Sequence, residues 1–221
     1  MRAIRVGPPA RRRGDQAERG QGLVEFALIL PILTILVVAV AELGWIYMNI
    51  NSLGYGSRQG ARVGAALAQG DESLCPLDLQ GDPTGVDVAV IGAIQRVLKT
   101  PDAGIDLDRI TDIRIFKATS SGAETPGAVN VWTHLGPGAG PEVEPGPPPV
   151  HLDFSPSGGT TWYACERVNE GDPEDIESIG VTVNYEYEFL TPFGQVLDAI
   201  SGGALSVTLS ETTVMALNPT L

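Results

Sequence analysis

Apolar and polar positions change their spacing several times along the chain. Phe26 to Ala41 is a run of 16 residues without a charge, roughly 24 Å as a helix against roughly 30 Å of membrane hydrocarbon. Leu23, Val24 and the Leu43 to Met48 stretch lengthen the run, and Trp45 and Tyr47 stand where aromatic rings settle at a membrane interface. A transmembrane helix is therefore expected over 21–48, bent but not broken by Pro31, which membrane helices tolerate. Helical spacing continues over 49–70 with a different texture: Gly56, Gly60 and Gly64 recur every four residues, followed by Ala68. Such a stripe lets another helix approach closely, whereas left exposed each glycine would only weaken the helix by up to about 1 kcal/mol.

Residues 71–221 read as a small α+β body. Asp82-Pro83 supplies a cap and a first-turn proline, Val90, Ile91, Ile94, Val97 and Leu98 form one face, and Thr100-Pro101 ends the helix. Ile110 to Lys117 is a strand candidate. The clearest strand is residues 179–189, where Ile179, Val181, Val183, Tyr185, Tyr187 and Phe189 alternate with smaller or polar residues. Pro192 to Ile200 suggests a short helix. Leu205, Val207 and Leu209 begin a last strand whose phase slips before Val214, as a bulge would make it. Ten of the fourteen residues from Gly136 to Pro149 are glycine or proline, so 136–149 is expected to be a flexible loop. The expected architecture is one long N-terminal helix carrying a small antiparallel sheet.

Charge orders these parts. The formal net charge is −13, yet residues 1–20 form a basic leader with six arginines and two acids, so the remainder carries 8 basic and 25 acidic residues. Nucleic acid is excluded as a partner by so acidic a body. Arginines on one flank keep that flank in the cytoplasm, which places the leader inside and the body outside the membrane. Cys75 and Cys165 then lie where a disulfide persists, although sequence does not say whether they pair.

Glu25 sits at the start of the apolar run, where a carboxylate is costly. It can mark the cytoplasmic boundary of an uncleaved anchor. Alternatively, Ala39-Val40-Ala41 before Glu42 fits the cleavage rule of a secretory signal peptide. A third reading starts from Gly20, five residues before Glu25, which gives a glycine, four residues, a glutamate and then Phe26. This "GQGLVEF" resembles a prepilin processing site. With "RGQGLVEFALILPIL", "AELG" and "SRQGARVGAA" in order, the N-terminal block resembles the TadE-like pilus-assembly proteins of tight-adherence systems; Gly22 stands where alanine or serine is common.

The resemblance implies cleavage by a prepilin peptidase between Gly20 and Gln21, leaving the helix in the membrane. Glu25 and Phe26 would serve recognition and assembly, the Glu25 carboxylate pairing with the new Gln21 amine of a neighbour. Its implied partners are the membrane, the peptidase, other pilins or pseudopilins and the pilus assembly platform. The implied role is a minor pseudopilin or assembly component, a single-pass cell-membrane protein and not an enzyme. The alternative is a signal-anchored extracytoplasmic binding or adhesion module that joins no filament.

No cofactor, metal or catalytic site is expected. His134 and His151 flank the glycine-proline segment, and no zinc, redox, nucleophile-elbow or phosphate-cradling pattern occurs. Asp102, Asp106 and Asp108, and Asp172, Glu174, Asp175 and Glu177, offer oxygen ligands for calcium without EF-hand spacing. Solvated loop charge is the simpler reading of both groups. Trp132, Trp162 and Tyr163 are expected in the core.

Overall fold

The computed structural model describes residues 14–67, 85–144, 150–158, 162–169, 176–192, 194, 199–200 and 207–217. Cys75 and the side chain of Cys165 fall outside this set, so their pairing does too, as does the helix start expected at Asp82-Pro83.

Helix α1 (Gly14–Leu67) is a single uninterrupted rod of 54 residues, about 80 Å long. Pro31 does not break it, and Thr34 Oγ1 donates to Leu30 O at 2.8 Å beside the proline. The large apolar side chains from Leu23 to Val37 are all exposed. By length and composition this helix can cross a membrane.

From Val38 onward one face of α1 turns inward, and residues 42, 49, 53, 57, 61 and 64 are buried. They pack on helix α2 (Gly85–Leu98) and on a five-stranded antiparallel sheet made of β1 (Ile110–Ala118), β2 (Glu124–His134), β5 (Phe154–Ser157), β6 (Ser178–Tyr187) and β7 (Val207–Ala216). The strand order is β5-β2-β1-β6-β7, with β3 (Glu142–Glu144) and β4 (Val150–His151) paired separately. Ile113 and Ile115 lie opposite Val183 and Val181 across the β1–β6 ladder. All four point to the helices and are fully buried with Leu53, Val90, Ile91 and Ile94. The α+β architecture is thus a long apolar helix followed by a small antiparallel-sheet body.

The glycine stripe seats α2. A β-carbon on Gly60 would lie 2.7 Å from Ile94 Cδ1, one on Gly56 would lie 3.2 Å from Leu98 Cδ2, and one on Gly64 would lie 2.5 Å from Ile179 Cδ1. Because the contacts run from Leu98 to Val90 as α1 rises, the helices are antiparallel. Gly60→Leu is expected to overpack this seam and to cost about 1–3 kcal/mol, read as a lower thermal midpoint of the folded body. Trimming the opposing side chain in Gly60→Leu/Ile94→Ala should recover part of the loss; full independence of the two substitutions would contradict the contact.

Three elements differ from the sequence reading. Strand β7 pairs residue by residue with β6 from Tyr187↔Val207 to Ser178↔Ala216, without a bulge. The apparent slip arises because Glu211 and Thr213 point inward, where Ser57 Oγ meets Thr213 Oγ1 at 2.8 Å, so that Val214 simply faces out. Strand β2 was not expected, since Pro126 and Gly127 interrupt its apolar spacing. Within 136–149, residues 142–144 form β3, held by Gly140 N–H to Leu152 O at 2.7 Å and Leu152 N–H to Pro141 O at 2.8 Å. Close backbone pairing suits glycine: a β-carbon on Gly140 would collide with Phe154 O.

Candidate functional site

At the lower end of α1 the sequence-predicted assembly residues share one exposed stretch. Gln21 Nε2 donates to Glu25 Oε1 at 3.0 Å, one turn apart. Phe26 beside them is exposed. Gly20 and Gln21 are both within the continuous helix. None of these residues touches the body, so they form a surface with no intramolecular occupant among the described residues.

Where α1 meets the body, the structure supplies a site that the sequence reading treated as the end of the apolar run and the residue after a possible signal-peptide cut. Glu42 is 1 % exposed. Its Oε1 accepts from Tyr187 Oη at 2.6 Å and from Leu190 N–H at 2.9 Å, and its Oε2 accepts from Thr191 N–H at 3.2 Å. A buried carboxylate is tolerated only with such partners. Burial and the hydrogen bond to Glu42 push the Tyr187 phenol well above its ordinary range. The contact clasps the end of β6 and the loop after it onto the helix. Ser52 Oγ adds a second tie at this end, donating to Ala103 O at 2.7 Å.

A second buried network ties α2 to β2 and to residues 162–167. Arg167, fully buried, donates through Nη2 to Asp87 Oδ1 at 2.6 Å. Asn130 Nδ2 donates to Asp87 Oδ2 at 2.7 Å and to Trp162 O at 2.8 Å, while Trp162 N–H returns a bond to Asn130 Oδ1 at 3.0 Å. The guanidinium lies 4.4 Å from the centre of the Trp162 ring, a favourable cation–π distance. Trp132 and Trp162 are core residues and Tyr163 is half-buried.

The remaining candidates are dispersed. His134 Nδ1 lies 3.3 Å from Asp108 Oδ1 and its ring meets Phe154 edge-on, whereas His151 faces Gly140 O; the two histidines are not brought together. Asp106 caps the amide of Asp108 at 3.1 Å and pairs with Arg109 at 3.5 Å. Glu177 binds Lys117 at 2.5 Å, while Asp172, Glu174 and Asp175 lie outside the described residues. Among the described residues no three histidine, cysteine or acidic side chains converge to hold a metal ion. Arg58 and Arg62 stay on the exposed side of α1, where Arg58 Nε donates to Gly54 O at 2.9 Å and its guanidinium lies over Tyr55.

Sequence alone could not find these two networks. Glu42 carries no motif that points to Tyr187, and Asp87, Asn130 and Arg167 meet only through the β-sheet topology. A weak signal existed in the charge of Asp87, which stands among apolar residues in the first turns of α2.

Comparison with known proteins adds one match. The family model described as TadE-like protein matches residues 20–62, which spans the exposed apolar half of α1, Glu42 and most of the glycine stripe. No curated protein and no solved structure matches the chain.

Proposed function

We propose that this chain, TadE-like over residues 20–62, is a minor pseudopilin or assembly component of a tight-adherence pilus or secretion system. In this reading a prepilin peptidase cuts between Gly20 and Gln21. The helix stays in the membrane with its new N-terminus on the cytoplasmic side, and the body is held outside. The protein acts by packing against other pilins or pseudopilins and the assembly platform, and catalyses nothing itself. The observation that carries the reading is the division of α1: Gln21 to Val37 is exposed on every face and bears a carboxylate at Glu25, while the same rod from Glu42 upward is built into the body.

That division also weighs against a signal-peptidase cut after Ala41. Such a cut would open the rod at the residue that accepts from Tyr187, Leu190 and Thr191. An unpaired carboxylate costs about 2.5–3.5 kcal/mol at the bilayer centre and less near the edge, where Glu25 stands, and pairing with the new amine of a neighbouring Gln21 offsets part of this cost. The charge thereby favours assembly.

N-terminal sequencing of the mature protein, with and without active prepilin peptidase, tests the proposal. A start at Gln21 that depends on the peptidase is expected. A start at Glu42 would overturn it in favour of ordinary secretion, and an intact leader would favour the anchored binding module. Glu25→Ala should still be cut and inserted but should fail to assemble; normal assembly would remove the pairing role.

A further inference from the structure

We propose that the lower end of the body docks on the lipid surface where α1 leaves the membrane, with Glu42 as the clasp that holds the docking loop in place. This rests on membrane crossing by α1 and not on the pilus role or the orientation. Glu25 and Glu42 bracket the exposed apolar stretch and are 17 residues apart, about 26 Å along the helix, close to the roughly 30 Å of hydrocarbon. The two carboxylates therefore fall near its two boundaries. Glu42 is bonded to the amides of Leu190 and Thr191, which fixes the loop after β6 at that boundary.

The loop's side chains suit that place. Leu190 is 66 % exposed, and Ile200, on the same connection between β6 and β7, is 78 % exposed. The connection leaves and re-enters the sheet at the register pair Tyr187↔Val207, directly above the clasp. On α1 itself, Leu43, Trp45 and Tyr47 are exposed within two turns of Glu42. A single exposed leucine needs no explanation, but Leu190 held at Glu42 together with Leu43, Trp45 and Tyr47 on α1 puts apolar and aromatic side chains at the level of a membrane boundary, and these have an occupant, the interfacial layer of the bilayer. The charges nearby argue that the attachment is apolar. Arg109 is engaged by Glu188 and Asp106, and Asp102 and Asp108 leave this end acidic, so anionic headgroups gain nothing here.

Nitroxide labels test the proposal in the full chain, reconstituted in phosphatidylcholine nanodiscs with Cys75 and Cys165 replaced by serine. Labels at Leu190→Cys and Ile200→Cys are expected to collide with oxygen in preference to a water-soluble nickel chelate by about threefold more than a label at Ser121→Cys, in the turn at the opposite end of the sheet. Equal ratios at the three positions would overturn the proposal, while a Leu33→Cys label that still prefers oxygen would show that the span itself stands. A preference at 190 and 200 that appears only after copies assemble would assign the surface to a protein partner and overturn lipid docking. A preference that appears only with phosphatidylglycerol would overturn the apolar mode. Independently of the cysteine replacements, p-benzoylphenylalanine at position 190 of the native chain should crosslink to lipid on irradiation, and crosslinks to protein alone would contradict the proposal.

Discussion

Asp87→Leu lowers the stability of the body by about 3–5 kcal/mol, the cost of leaving a buried guanidinium without its counter-charge. For a chain of this size that corresponds to a fall of roughly 6–20 °C in thermal midpoint, measurable by circular dichroism in detergent. The effect is large because Arg167 is fully enclosed and Asp87 1 % exposed, so neither water nor a surface rearrangement can replace the missing oxygen. Asn130 loses an acceptor at the same time, which loosens its hold on Trp162. The pair is not an optimal source of stability, however. Arg167 Nε and Nη1 are buried without hydrogen-bond partners among the described residues, so the cost of desolvating the arginine is not fully recovered there. Asp87→Leu/Arg167→Met should therefore regain most of what the single substitution loses. A single substitution that costs under about 1 kcal/mol would show that the pair is open to solvent.

Glu42→Ala is the second change of large effect. It strips the acceptor from Tyr187 Oη and from the Leu190 and Thr191 amides, at a cost of about 2–4 kcal/mol, and it should release the loop after β6 from α1. Faster amide exchange at residues 188–192, with the β1–β6 ladder still protected, is the expected signature; unchanged protection of the loop would contradict the clasp. The same site sets an alkaline limit. Burial and the bond to Glu42 raise the folded-state Tyr187 phenol above its usual value near 10, so its contribution is complete below that pH and is lost as pH rises from there toward the folded value. Tyr185 is also raised, chiefly by burial, and acts with the same sign. Stability should thus fall above about pH 10 in the native chain, and fall less steeply in Tyr187→Phe, as followed by urea titration at successive pH values.

The parts that the sequence made legible are those whose chemistry is local. Charge-free length marked the exposed half of α1, the four-residue glycine spacing marked the half that packs, and strict alternation marked β6. What escaped is long-range. β2 reads as interrupted because Pro126 and Gly127 fall in its first half, yet from Val129 it pairs in register with β1. The inward Glu211 and Thr213 of β7 looked like a lost phase, because the polar surface of α1 that they face cannot be foreseen from the strand itself. The clasp joins residues 145 positions apart, and at that distance a lone glutamate after an apolar run has no visible partner. Hence Glu25 could be singled out from its spacing to Gly20, while Glu42, although it lies in the AELG block, read as a boundary because its partners are brought to it only by the tertiary structure.

The continuity of α1 across Pro31 also makes the helix a compass for the body. At about 100° per residue, the 17 steps from Glu25 to Glu42 bring the two carboxylates to headings about 100° apart around the axis. In the proposed assembly, a partner that pairs with Glu25 would thereby set which flank of the sheet turns toward a neighbour, about 26 Å farther along the helix. Chain length between these residues is then an angular setting, in which one residue more or less swings the body by over a quarter of a turn.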